Sequence, residues 1–200
     1  MEVLFATTNP AKVKKFKTGL ENNGVNLRTI DDLRIKLDVN ENGKDAIENA
    51  FIKAKTYYDA TKIISIGMDN NLFLEGVPEA EQPGTFVRRI NGKELTDEEM
   101  IQHYTNLVKK YGGKVNAKWV YGIVVYNGED AKKFTWEKTG FYFVDKHSEK
   151  INIGYPLDSI TIIPQFNKYL VELTKEEKEQ YKNQYNNEHE IIDFILKSIR

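Results

Sequence analysis

Thr7, Thr8 and Asn9, followed three residues later by Lys12, gather hydroxyl, amide and ammonium groups into one stretch, MEVLFATTNPAKVKK. At a helix N-terminus, where the first N–H groups lack intrahelical partners, such a set cradles an anion. It is not a Walker loop, because the GxxxxGK[ST] spacing is absent. Two acids stand elsewhere: Glu41 in Glu41-Asn42-Gly43, and Asp69 directly after the apolar run from Ile63 to Met68. If the two meet, they hold a hard divalent cation through oxygen. Such a cation binds phosphate oxygens and polarises phosphorus, and one carboxylate orients or deprotonates water. Asn49 and Lys53 are one helical turn apart, so both face one ligand. Taken singly, each feature also suits an ordinary capped helix, a turn acid or a solubilising lysine.

The elements that must position these groups follow from periodicity and punctuation. Residues 3 to 6 are a short apolar run and read as a buried strand. Thr8 or Asn9 then caps a helix with Pro10 in its first turn, running to about Glu21 with Val13, Phe16 and Leu20 on one face. A second strand is expected over Val25 to Ile30, a turn over Asp31 to Leu33, and a weak alternation over Ile35 to Val39. From Asp45, the positions Ala46, Ile47, Ala50, Phe51 and Ala54 make a helical stripe. Ile63 to Met68 reads as a strand ending in Asp69-Asn70-Asn71, and the Gly-, Pro- and Glu-rich stretch from Glu75 to Gly84 as a loop. Thr96 and Glu99 form a capping box for a helix to Lys110, ended by Gly112-Gly113.

Ala117 to Tyr126, Lys132 to Thr139 and Gly140 to Val144 read as a meander turning at Asn127-Gly128. A short strand over Ile160 to Ile163 precedes two helices, Thr174 to about Asn186 and Glu188 to Ile199. This order indicates one α/β domain over residues 1–200, with the segment around 115–150 as a meander lobe. Open sheets of this kind place their sites beyond the carboxyl ends of strands, where Thr7 and Asp69 fall.

Composition narrows the function. Lys and Arg total 29 against 30 for Asp and Glu, so there is no polybasic footprint for a nucleic-acid polymer. The chain has no cysteine, which excludes disulfides, a thiol nucleophile and cysteine-ligated zinc. His103, His147 and His189 show no ligand spacing. No signal-peptide pattern or membrane-length apolar stretch is read, so a cytoplasmic location without a membrane partner is expected.

Four segments together resemble the nucleoside triphosphate pyrophosphatases that act on inosine and xanthosine triphosphates. The family's Thr-x-Asn-x-x-Lys is matched by Thr7, Asn9 and Lys12. Its Glu-x-Gly and Glu-Asn-Ala-x-x-Lys-Ala are matched by Glu41, Gly43, Glu48, Asn49, Ala50, Lys53 and Ala54. Asp69 and Leu72, then Pro83, Gly84 and Arg89, match the third signature. Gly154 and Tyr155, then Glu172, Leu173, Glu176, Glu177 and Lys178, match the last.

The resemblance implies an elongated, twisted mixed sheet flanked by helices, with two lobes around a central cleft, and a homodimer. It implies Mg2+-dependent attack of water at the α-phosphorus of a nucleoside triphosphate, giving nucleoside monophosphate and pyrophosphate. Carried over, Glu41 and Asp69 handle metal and water, and Lys12 joins them in catalysis. Thr7, Thr8, Asn9, Lys12, Asn49, Lys53 and Asn70 contact the substrate, with Tyr155 near the base and Lys178 facing the nucleotide. The family's Ser-Gly after the aspartate is Asn70-Asn71 here, and its Ser-His-Arg base-reading triplet falls at Lys182, Asn183 and Gln184. Altered base selectivity is the expected consequence. Phosphatase action on another nucleotide, or nucleotide binding without turnover, are the competing readings.

Overall fold

Val3, Leu4 and Phe5 are consecutive buried side chains, as expected of a strand covered on both faces. In the computed structural model, which describes residues 1–184 and 187–200, they form β1 (Glu2–Phe5). The other strands are β2 (Asn26–Thr29), β3 (Ser65–Leu74), β4 (Arg89–Ile90), β5 (Lys93–Glu94), β6 (Lys114–Tyr126), β7 (Ala131–Val144), β8 (Thr161–Ile163) and β9 (Lys168–Tyr169). The helices are α1 (Pro10–Glu21), α2 (Ile30–Leu33), α3 (Ala46–Thr61), α4 (Asp97–Lys110), α5 (Lys175–Gln184) and α6 (Glu188–Ser198). One seven-stranded sheet has the order β2-β1-β3-β6-β7-β8-β9, and β4 pairs with β5 separately. β1 is parallel to β2 and to β3, whereas β8 is antiparallel to β7 and to β9. The fold is therefore a mixed α/β sheet flanked by helices.

The chain divides into two compact units. The first comprises Met1–Asn70, Val120–Trp136 and Asn186–Arg200. On one face of its strands, Val3, Phe5, Ile66, Met68, Ile123 and Val125 pack with Phe16 and Leu20 of α1 and Ile191 and Ile195 of α6. On the other face lies α3, whose Ala50 and Ala54 meet Val124. Two glycines let the α3 backbone rest on the strands. A Cβ at Gly67 would fall 1.9 Å from the Ala50 carbonyl oxygen, and one at Gly122 would fall 2.8 Å from the Ala46 carbonyl carbon. Asp45 caps α3, its carboxylate accepting the Glu48 N–H at 2.8 Å.

The second unit comprises Asn71–Trp119 and Glu137–Tyr185. Its core sets Met100, Ile101, Tyr104 and Val108 of α4 against Leu72, Leu74, Val115, Phe141, Phe143 and Ile160. The Thr96–Glu99 capping box is present in both directions. The segment from 115 to 150 is shared between the units.

Three expectations change. The third strand does not end at Asp69: β3 runs on through Asn70 and Asn71 to Leu74. There Leu72 exchanges backbone hydrogen bonds with Gly84, pairing that outweighs the turn preference of asparagine, and the apolar pattern resumes at buried Leu72 and Leu74. The two expected strands before Val144 are one, β7, which passes Gly140 at φ +75°. The Asp31 to Leu33 turn is the short helix α2, closed by reciprocal Thr29–Asp32 hydrogen bonds. The weak alternation over Ile35 to Val39 holds in burial: Ile35, Leu37 and Val39 are half-buried between exposed neighbours and pack beside Tyr57, without forming a strand. The helix expected to end near Asn186 is described to Gln184, and its expected end lies outside the described residues.

Candidate functional site

The first unit brings four charged side chains from separate segments to one place. After β1, the Thr7 hydroxyl accepts the Asn9 N–H at 3.2 Å, which turns the chain into α1. The Asn9 carbonyl accepts the Lys12 N–H at 3.1 Å. Lys12 therefore sits in the first turn of α1 and reaches over β3. Its Nζ donates to the Met68 carbonyl at 3.2 Å and lies 4.0 Å from Asp69 Oδ1.

The loop before α3 is fixed by a buried amide. Asn49 Oδ1 accepts the Gly43 N–H at 2.8 Å, and Glu48 Oε2 accepts the Lys44 N–H at 2.8 Å. That anchors the loop carrying Glu41. Lys53, one turn further along α3, lies 2.7 Å from Glu41 Oε2 and 3.3 Å from Asp69 Oδ1. The side chains of Lys53 and Asp69 are 13% and 14% exposed, against 40% for Glu41, so the cluster is deepest at the lysine–aspartate contact. Burial and the neighbouring Lys53 ammonium push the Lys12 ammonium down to about 8, with Asp69 and Glu41 opposing the shift.

Two ammonium groups and two carboxylates cancel in formal charge. Among the described residues, no group of three His, Cys, Asp or Glu side chains converges. Glu41 and Asp69 are the two carboxylates this cluster offers to a hard cation through oxygen. Mg2+ is commonly held in that way, by one or two carboxylates plus substrate phosphates.

Thr8 and Asn9 are exposed at the start of α1, Thr7 is half-buried, and Asn70 is half-buried within β3. Asn49 departs from expectation. It is only 1% exposed, and its side chain secures the Gly43 loop instead of facing a ligand beside Lys53.

Tyr155 and Lys178 belong to the second unit. Tyr155 is 48% exposed, and its neighbour Gly154 donates its N–H to Asp97 Oδ2 at 2.7 Å. Asp97 is in turn held by Arg88 Nη2 at 2.8 Å. Lys178 is exposed on α5, as are Lys182, Asn183 and Gln184. The Asp158 carboxyl is pushed up by burial, against a hydrogen bond from Asn152 and the charges of Lys138 and Lys178.

The sequence reading missed the Met68 carbonyl, the Asn49–Gly43 lock and the Asp97 latch. A backbone acceptor leaves no trace in residue type. Gly67 within a buried run was a usable signal of close backbone approach.

These observations define a mixed α/β protein with a lysine–carboxylate cluster drawn from four segments of its chain. A sequence profile of the Ham1 family matches residues 3–192, and the chain belongs to that family. A dITP/XTP pyrophosphatase of Leptospira interrogans is 27% identical over 200 residues, covering 100% of this chain and 97% of the relative. One of Aquifex aeolicus is 29% identical over 187 residues, covering 89% and 88%. The Staphylococcus aureus Ham1 protein superposes with a TM-score of 0.78 at 24% identity, covering 98% of both chains, a likeness of fold. Among the described residues no helix is long and apolar enough to cross a membrane.

Proposed function

We propose that the chain hydrolyses a nucleoside triphosphate at its α-phosphorus to nucleoside monophosphate and pyrophosphate. The observation that carries this reading is the convergence of Lys12, Lys53, Glu41 and Asp69 from four segments of the chain. Membership of the Ham1 family, with relatives named dITP/XTP pyrophosphatases, supports it. Lys12, Lys53 and the first turn of α1 with Thr7, Thr8 and Asn9 take the phosphate chain. A carboxylate of the Glu41–Asp69 pair orients the water and accepts its proton. The water oxygen bonds to the α-phosphorus as the bond to the β-phosphate oxygen breaks, and pyrophosphate leaves as an anion matched by the lysines. Mg2+, held by Glu41 and Asp69 together with phosphate oxygens, supplies further neutralisation of phosphoryl charge when bound.

With Lys182, Asn183 and Gln184 in place of a polar base-reading triplet, selectivity among bases differs from that of inosine and xanthosine triphosphate enzymes. A cytoplasmic homodimer completes the reading, on the strength of the sequence resemblance. Asn70 and Asn71 are compatible with turnover: neither takes a positive φ, so replacing Ser-Gly introduces no backbone strain there.

A panel of ribo- and deoxyribonucleoside triphosphates incubated with Mg2+, with products resolved by mass, tests the proposal. Monophosphate plus pyrophosphate is expected. Diphosphate plus orthophosphate makes the protein a phosphatase instead, and substrate retained without any product makes it a binding protein.

A further inference from the structure

We propose that Lys53 is the site's built-in counter-cation, so that a divalent ion must displace its ammonium group from Glu41 and Asp69. This rests on the pyrophosphatase reading and concerns how the site is loaded. Lys53 Nζ lies within 2.7 Å of Glu41 and 3.3 Å of Asp69, and so contacts both acids. Lys12 is instead anchored on the Met68 carbonyl, 4.0 Å from Asp69. A Mg2+ ion sits about 2.0–2.1 Å from a ligating oxygen. An ion at that distance from both carboxylates, with an ammonium still bonded to the same groups, would place like charges within a few ångström beside the largely buried Lys53–Asp69 contact.

The two cations therefore exclude each other. Lys53 neutralises the acids while no divalent ion is bound. It swings on its flexible stem to the phosphate chain when a polyphosphate arrives with its cation. The ion alone binds weakly, and ion and polyphosphate each strengthen the binding of the other. The α3 backbone is held against β3 at Gly67, so this exchange is a movement of the side chain and not of the helix.

Mn2+ titrated without nucleotide into the full-length wild type and Lys53→Met, followed by electron paramagnetic resonance, tests the exchange. Lys53→Met is expected to bind Mn2+ about tenfold more tightly, since removing one charge from the pair removes the competitor. Equal or weaker binding by the folded variant overturns the inference alone. Absence of Mn2+ binding in both proteins overturns the cation-assisted reading as well. A second measurement needs no variant: acetylation of Lys53 by acetic anhydride, read by peptide mass spectrometry. Mg2+ alone is expected to speed labelling of Lys53 in the wild type several-fold as its ammonium is expelled, and an unchanged rate overturns the inference.

Discussion

Gly67→Ala probes the contact on which the cluster depends. The added Cβ would lie 1.9 Å from the Ala50 carbonyl oxygen, 2.8 Å from its carbon and 2.9 Å from the Ala54 nitrogen, all backbone atoms that cannot rotate away. Non-bonded carbons rest about 3.5 Å or more from their neighbours, so α3 and β3 must part by more than about 1 Å here. Lys53 adjoins Ala54, and Asp69 is two residues beyond Gly67 on the same face of β3. The separation therefore passes directly into the 3.3 Å Lys53–Asp69 contact. Overpacking of this kind costs about 1–3 kcal/mol, and at this chain length each kcal/mol lowers the melting temperature by about 2–4 °C. A drop of about 2–12 °C in a circular-dichroism melt is expected. A misplacement near 1 Å also lowers kcat/KM for pyrophosphate release by about 100-fold. Gly122→Ala meets backbone at 2.8 Å and should do less harm. The reasoning fails if Gly67→Ala melts within about 2 °C of wild type, or if Gly122→Ala proves the more damaging of the two.

Asp69→Asn is expected to abolish turnover while leaving the far-ultraviolet spectrum and melting temperature near wild type; retained turnover removes Asp69 from the chemistry. Lys12→Ala should weaken binding of inorganic tripolyphosphate, measured calorimetrically, and unchanged affinity counts against its phosphate role. Asn49→Leu strands the buried Gly43 N–H, at a cost of about 1–3 kcal/mol, and loosens the Glu41 loop; loss of stability together with weakened Mn2+ binding is the expected pair of effects. The Asp97 carboxyl is held below its usual range chiefly by the Gly154 N–H, with Arg88 adding and burial opposing. Its stabilising contribution is therefore complete above the ordinary carboxylate pKa and is lost as pH falls through the lowered folded value. Asp97→Asn should melt below wild type at neutral pH, with the gap closing below about pH 4; a gap that stays constant with pH refutes the assignment.

Much of the fold was legible because its signals are local. The apolar run of β1, the Thr96–Glu99 capping box of α4 and the isoleucine stripe of α6 each stand in the chain next to the element they build. The continuation of β3 through Asp69, Asn70 and Asn71 was not legible, because hydrogen bonds from neighbouring strands set a strand's length. The same holds for β7, where Gly140 looked like a break. Asn49 was misplaced because helical spacing shows which side of α3 it occupies but not that Gly43 folds back to cover it.

Residue type and spacing alone determined the charged groups available, put Lys12 in the first turn of α1 and placed Asn49 and Lys53 one turn apart on α3. Only the tertiary structure decided that Lys53 lies against both Glu41 and Asp69 and that Asn49 is buried as a loop anchor. The physical reason is that these contacts join segments distant in the chain. They exist because glycine at 67 and 122 lets a helix backbone settle onto the sheet, a closeness that no local preference specifies.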